Sequence, residues 1–390
     1  MNREIGGILL VTGTTIGAGM LALPVETGFA GFLPSAALFV FYWIFMTYTA
    51  LLFLEVNLWM ENGTNMVTMV QKTLGKGGAF ISWIAYLYLL YALTTAYLAG
   101  SAPTIQLLLH HIGFDIPQWL ASLPLIALFM LFLALGTQTV DRFNRLLMIG
   151  LTVAYGALLI LLTPHVEPLQ LTRQEWPLLW GALSVAATSF GFHIIIPSLT
   201  TYLHRDPVRL KRVIMIGSTI PLVVYLLWNL IALGILPIPL LEKGYAQGIN
   251  GAALLADYLS SPLLQGMAQS FSFFAIVTSF LGVSLSLMDF LADGLKIPKQ
   301  GGNMAILLSL TFFPPLGLAL TNPRAFLSAL EYAGAYGVVF LLGLIPVLMV
   351  AFGRYRHYHR STFKAPGGKI ALFLAGIVSV LIIAVEGLRG

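Results

Sequence analysis

The 390-residue sequence predicts an all-α integral membrane protein of about eleven transmembrane helices, and three observations carry that prediction. Hydrophobic residues make up 58% of the chain and charged residues only 9%, against about a quarter charged in soluble domains. Apolar runs of roughly 20 residues, enough to cross a bilayer core as a helix, recur along the whole chain. Basic residues gather in alternate breaks between these runs, the asymmetry expected of a multi-pass protein.

Set against their polar breaks, the apolar runs place spans at 5–30, 33–57, 80–109, 119–136, 146–163, 177–201, 213–236, 263–288, 303–320, 331–352 and 370–388. With the N-terminus cytoplasmic, all of the 20 basic residues except Arg173, Lys243, Arg324 and Arg389 fall inside. An inverted orientation or an even span count scrambles that bias, so the C-terminus is expected outside. The net charge of +5 thus reports orientation, and no nucleic-acid partner is expected. The absence of cysteine excludes disulfides, thiolate metal sites and cysteine nucleophiles. The first apolar run follows Arg3 directly and outlasts a signal-peptide core, so no cleavable signal is expected. Residues 237–262 read either as a short interfacial helix around Ala252–Ala256 or as a linker. The expected organisation is one transmembrane unit, 1–390, surrounded by lipid; nothing in it sets an oligomeric state.

Two spans carry helix breakers at mid-membrane depth. In the first, Thr12-Gly13-Thr14-Thr15-Ile16-Gly17-Ala18-Gly19 collects three glycines and three threonines. Each glycine costs up to about 1 kcal/mol in a helix, and open backbone in hydrocarbon is tolerated only where it lines a protein cavity. Close helix packing through Gly13-x-x-x-Gly17 is the alternative. The sixth span favours a break, because Val185–His193 aligns without a gap on Val11–Gly19, with Val185, Thr188 and Gly191 on Val11, Thr14 and Gly17 and Ser189 on Thr15. Pro24 and Pro197 follow the two stretches. Five spans separate these helices, so they run in opposite directions, as in inverted repeats of secondary transporters. The repeats are expected at 1–163 and 177–352, with 370–388 as an extra helix. Half-helix N-termini suit a carboxylate and freed carbonyls suit an ammonium or a cation, so a zwitterion fits both. The amides of Gly17, Ala18 and Gly19 are candidates for the carboxylate. Carbonyls around Ser189 and Phe190, with the Thr15 hydroxyl, are candidates for the amine.

These residues carry a family resemblance. Gly13 through Pro24 resembles the first-helix signature of the bacterial hydroxy and aromatic amino acid permeases. Tyr91–Tyr97, Thr188–His193, Thr278–Val283 with Asp289–Asp293, and Pro314-Pro315-Leu316 resemble that family in order and spacing. The resemblance implies the five-plus-five inverted-repeat fold of the bacterial leucine transporter with one added C-terminal helix. It also implies a bacterial inner membrane location and ion-coupled import of an aromatic amino acid, tyrosine ahead of tryptophan and phenylalanine. Glu26 departs from the pattern, where a small residue is expected.

An aromatic substrate needs flat apolar walls. Phe190 and Phe192 flank the break glycine, and analogy with the leucine transporter turns Phe192 toward the substrate side chain. Tyr91 and Thr95 share a face of the third span at i and i+4, where Tyr91 is positioned to close over the carboxylate. No cofactor is expected, only a coupling ion, proton or sodium. His193 is the one titratable side chain at mid-membrane depth and is the proton candidate. Likeness to the leucine transporter implies a sodium site instead, with carbonyls of Gly13, Ile16 and Ala275 and hydroxyls of Thr278 and Ser279. Glu55, Asp289, Asp293, Glu331 and Glu386 lie near span ends, where hydrated placement is expected. A serine-type substrate, an integral-membrane enzyme and a channel are the alternatives. The enzyme lacks a carboxylate beside the central histidine, and the channel lacks a continuous polar lining.

Overall fold

The computed structural model describes residues 3–17, 19–111, 113–259, 261–322, 324–356 and 363–389. Among these, every regular element is helical. Among the described residues nine helices are long and apolar enough to cross a bilayer, and a bent pair near the N-terminus makes a tenth if taken as one span. The protein is therefore a multi-pass membrane protein.

The bent pair is α1 (Arg3–Thr15) and α2 (Gly19–Thr27), followed by α3 (Phe32–Trp59) and α4 (Met66–His111). A single turn, α5 (Gln118–Ala121), leads into α6 (Leu123–Ala134) and then α7 (Thr137–Leu162). The fourth expected span, 119–136, is thus shorter than foreseen. At about 1.5 Å per residue the 12 residues of α6 rise roughly 18 Å, short of a hydrocarbon core of about 30 Å. The third, expected at 80–109, lies within the part of α4 that follows Gly75, whose φ of 82° lies in the left-handed region that favours glycine and separates it from a shorter helix beginning at Met66.

The sixth span is segmented into a 3₁₀ stretch (Trp176–Ala182), α8 (Leu183–Ser189), a 3₁₀ turn (His193–Ile195) and α9 (Ile196–Tyr202). Helix α10 (Pro207–Ile235) starts where the sequence signals it. Asp206 accepts from the amides of Val208 and Arg209, and Pro207 occupies the first turn, where a missing N–H is harmless. The loop at 237–262 is two helices, α11 (Ile238–Gln247) and α12 (Gly251–Tyr258). Asn250 caps α12, which buries Ala252, Leu254, Leu255 and Ala256 against α2 and α13 (Pro262–Leu295). The segment is therefore helical and not a mere linker. Helix α14 (Gly302–Thr321) follows, then α15 (Ala325–Tyr332), a π-helical stretch (Ala333–Leu344), α16 (Ile345–Tyr355) and α17 (Gly368–Arg389).

Proline placement explains several contacts between helices. A proline inside a helix leaves the carbonyl four residues earlier without its donor, and such a group in hydrocarbon is costly. Pro24 frees Met20, Pro221 frees Gly217 and Pro314 frees Leu310. A side chain from another helix answers each. Trp228 Nε1 donates to Met20 O at 2.9 Å, Thr12 Oγ1 to Gly217 O at 3.0 Å and the Tyr91 hydroxyl to Leu310 O at 2.9 Å.

The acidic residues divide. Asp289 pairs with Lys299 at an exposed position, 2.8 Å apart, and Asp293 is exposed, as expected at an interface. Glu55 and Glu386 are instead buried. Glu55 meets Arg354 in a two-pronged contact and accepts from the Ala365 amide at 2.7 Å, which ties α3 to α16. Glu386 accepts from Ser184 Oγ at 2.8 Å, linking α17 to α8. Position near a span end did not reveal these pairings, because the partners are more than 200 residues away in sequence for both groups.

Candidate functional site

Both foreseen interruptions are present. The first span stops at Thr15, bends through Ile16 and Gly17, and restarts at Gly19 with its axis turned by 52°. Ala18 lies outside the described residues. The sixth span stops at Ser189 and passes through Phe190–Phe192 before its 3₁₀ turn. Thr15 and Ser189 are the residues that the alignment superposes, so the two first half-helices end at matching positions. Among the described residues, the backbone bonds at the first break run from Ile16 N to Thr12 O and from Met20 N to Gly17 O. Those at the second run from Phe190 N to Ala187 O and Gly191 N to Thr188 O. None of these ends on Thr15 or Ser189.

The carbonyls of Thr15 and Ser189 converge on one hydroxyl. Tyr225 of α10 lies 2.7 Å from Thr15 O and 2.8 Å from Ser189 O. It is fully buried, and the Phe190 ring meets it edge to face at 5.2 Å between centroids. One turn further, Trp228 holds Met20 O on the far side of the first break. Asn229 then meets Thr27 Oγ1 at 3.2 Å. One face of α10 therefore grips the first span on both sides of its bend and the sixth span at its stop.

Small residues let the two breaks approach. A Cβ on Gly19 would lie 2.8 Å from Ser189 Oγ and 3.4 Å from Ser189 Cα, so α2 begins directly against the end of α8. A Cβ on Gly17 would lie 2.8 Å from Ser279 Oγ, which brings α13 to the first break. Thr15, Gly17, Gly19, Ser189, Phe190 and Ser279 are thus brought together from four elements.

The remaining candidates have other neighbours. The Thr15 hydroxyl donates to Val11 O at 2.7 Å, the back-bond usual for threonine in a helix, so the oxygen presented at the stop is its carbonyl. Thr95 donates to Tyr91 O at 2.8 Å, and the Tyr91 hydroxyl is engaged by the Leu310 carbonyl on α14. Phe192 is buried beside the His193 ring. His193 faces α3, with Nε2 2.9 Å from Thr49 Oγ1 and the Phe53 ring 6.3 Å away. Its Nδ1 is buried and has no partner among the described residues. Of the sodium candidates, Thr278 donates to Phe274 O and Ser279 to Ala275 O, at 2.7 and 2.9 Å. Both hydroxyl oxygens keep lone pairs, the arrangement an alkali ion needs. Gly13 faces Met148 of α7, and Ile16 is half-buried in the bend.

Tyr225 and Trp228 were missed from sequence. Their signal was present as Tyr225-x-x-Trp228-Asn229, polar-tipped side chains in an apolar span, which require partners when buried. The unusual Glu26 is buried on α2 near Arg324. Arg324 stands over the Tyr245 ring at 4.1 Å and pairs with Glu331 at 3.6 Å. Charges from α2, α15 and the loop before α15 therefore share one cluster with α11.

The sequence pattern of the tryptophan/tyrosine permease family matches residues 1–386. The chain is 34% identical to the "Tryptophan-specific transport protein" of Haemophilus influenzae, covering 97% of this chain and 94% of that protein. It is also 34% identical to "Tyrosine-specific transport system 1" of the same organism, over 99% and 96%. Similarity at 30% identity extends to "Glutamine transporter 2" of Aliivibrio fischeri, over 98% and 99%.

Proposed function

Because the chain belongs to the tryptophan/tyrosine permease family, we propose that it imports an aromatic amino acid by ion-coupled symport and alternating access. It is a transport protein and not an enzyme. The observation that carries the reading is the meeting of two interrupted helices, where Gly19 abuts Ser189 and the carbonyls of Thr15 and Ser189 share one hydroxyl. A half-helix start and two freed carbonyls within one buried region suit the opposite charges of a zwitterion. On this reading the amides of Gly17, Ala18 and Gly19 bind the carboxylate, and the Thr15 and Ser189 carbonyls bind the amine. Phe190 and Phe192 border the ring, with Thr95 and the ring of Tyr91 contributing from α4, the Tyr91 hydroxyl being held by the Leu310 carbonyl.

The proposed architecture counts the bent pair, α6 and the remaining apolar helices as eleven spans. The first ten form inverted five-helix repeats and α17 is the addition. The protein sits in a bacterial inner membrane with its N-terminus cytoplasmic and its C-terminus outside, in line with the placement of its basic residues. Tyrosine is the favoured substrate. The coupling ion is sodium, held by oxygens of Gly13, Ile16, Ala275, Thr278 and Ser279, or a proton on His193. The Gly17–Ser279 contact supports the first, and the Nδ1 without a partner among the described residues supports the second.

The test is accumulation by proteoliposomes of labelled tyrosine, tryptophan, phenylalanine, serine and glutamine, under a proton gradient and a sodium gradient separately. The expected result is accumulation of an aromatic amino acid under one gradient. Accumulation of serine or glutamine alone moves the substrate class, and no accumulation under either gradient overturns the reading.

A further inference from the structure

We infer that Tyr225 is a positioning residue for amine recognition: its single hydroxyl fixes the carbonyls of Thr15 and Ser189 as one acceptor pair. The inference rests on the proposed reading of the two breaks as a zwitterion site. The hydroxyl contacts Thr15 O at 2.7 Å and Ser189 O at 2.8 Å. Each carbonyl oxygen has two lone pairs, whereas tyrosine offers one proton. Among the described residues one side-chain donor therefore faces four lone pairs, and the acceptor capacity left over matches the N–H groups of a protonated amine. Thr15, Ser189 and Tyr225 are all buried, where bulk water is a poor substitute and leftover acceptors are costly.

The tyrosine is itself held from two directions. Its ring is met edge to face by Phe190 at 5.2 Å, the residue that follows Ser189. Its helix is pinned to the first span by Trp228, which donates to Met20 O at 2.9 Å. Carbonyls at the ends of two half-helices belong to elements far apart in sequence, and nothing within either half-helix fixes their separation. A donor on a third helix, locked by its own packing, does. The preorganised pair then discriminates by charge, because an amino acid satisfies it and the same molecule without its amine leaves it bare.

The test compares affinity for the transported amino acid with affinity for its des-amino analogue, 3-(4-hydroxyphenyl)propionate or indole-3-propionate, by competition on the full-length chain in membranes. This ratio does not depend on how much protein folds. Tyr225→Phe keeps the ring and removes the hydroxyl. It is expected to lower the preference for the amine at least about tenfold, the scale of one hydrogen bond to a charged group, with the analogue's affinity unchanged. Tyr155→Phe is the control, since Tyr155 is another phenol in the membrane and donates to Val224 O at 2.8 Å on the same helix as Tyr225. It is expected to leave the ratio unchanged. An unchanged ratio in Tyr225→Phe, or an equal loss for amino acid and analogue, overturns the inference. If Tyr225→Phe gives no folded protein, the ratio is read in Phe190→Leu, which removes the edge-to-face support. A fall of about threefold is expected there, and an unchanged ratio overturns the inference as well. Failure of the unaltered protein to bind any aromatic amino acid instead overturns the proposed function.

Discussion

The two interrupted spans stop at matching residues and differ in the segments beyond the stop. After Thr15 the chain passes through Gly17 and enters α2, whose side chains from Gly19 to Thr27 are all buried. After Ser189 it passes two buried phenylalanines and His193 before α9 begins. At the first break two glycines bring backbone close to its neighbours: Gly19 reaches Ser189, and Gly17 reaches Ser279. The second supplies rings, with Phe190 against Tyr225 and Phe39 and with His193 against Phe53. Similar stopping signals thus leave close-packed main chain at one break and buried rings at the other.

Loading bulk onto the bare break gives the largest expected effect. Gly17→Leu is expected to abolish uptake, a loss of more than about 100-fold, since even a Cβ meets Ser279 and displaced site geometry is expensive. Uptake normalised to protein in the membrane checks this, and uptake near the unaltered level removes Gly17 from the site. Thinning the ring-bearing break comes next. Phe192→Ala is expected to raise KM for the aromatic substrate about tenfold or more, while serine gains relative to tyrosine in a competition assay. An unchanged substrate order assigns Phe192 to packing alone.

The coupling ion separates the two breaks more finely. Thr278→Ala with Ser279→Ala is expected to slow sodium-driven uptake about tenfold if the ion sits beside the first break. His193→Gln is expected to do the same to proton-driven uptake if the proton sits beside the second. Flux under each gradient reads both, and the silent variant identifies the ion not used. The smallest effect lies outside both breaks. Tyr91→Phe leaves the Leu310 carbonyl, freed by Pro314, without its side-chain donor, which costs about 1–3 kcal/mol of stability. A lower melting temperature with KM held within about twofold is the expected result. A large KM change without a stability change assigns the Tyr91 hydroxyl itself to the substrate.

Much of the molecule was legible because the bilayer simplifies the code. Apolar runs forecast helices, and glycine with threonine at mid-depth forecast where two of them stop. The misreadings are equally physical. Span four came out short, because run length reports hydrophobicity and says nothing of where a helix stops. Glu55 and Glu386 were expected in water, yet both found partners inside.

By itself, the sequence determined the solvent, the helical class and the two stopping points, since each depends on residues close together along the chain. Only the tertiary structure decided what answers the freed carbonyls. Trp228 reaches Met20, Tyr91 reaches Leu310, and Tyr225 reaches Thr15 and Ser189 at once. A break in a helix is a local event governed by propensity, whereas its hydrogen-bond partner can come from any helix that packs beside it. That choice belongs to packing, which no short stretch of sequence records.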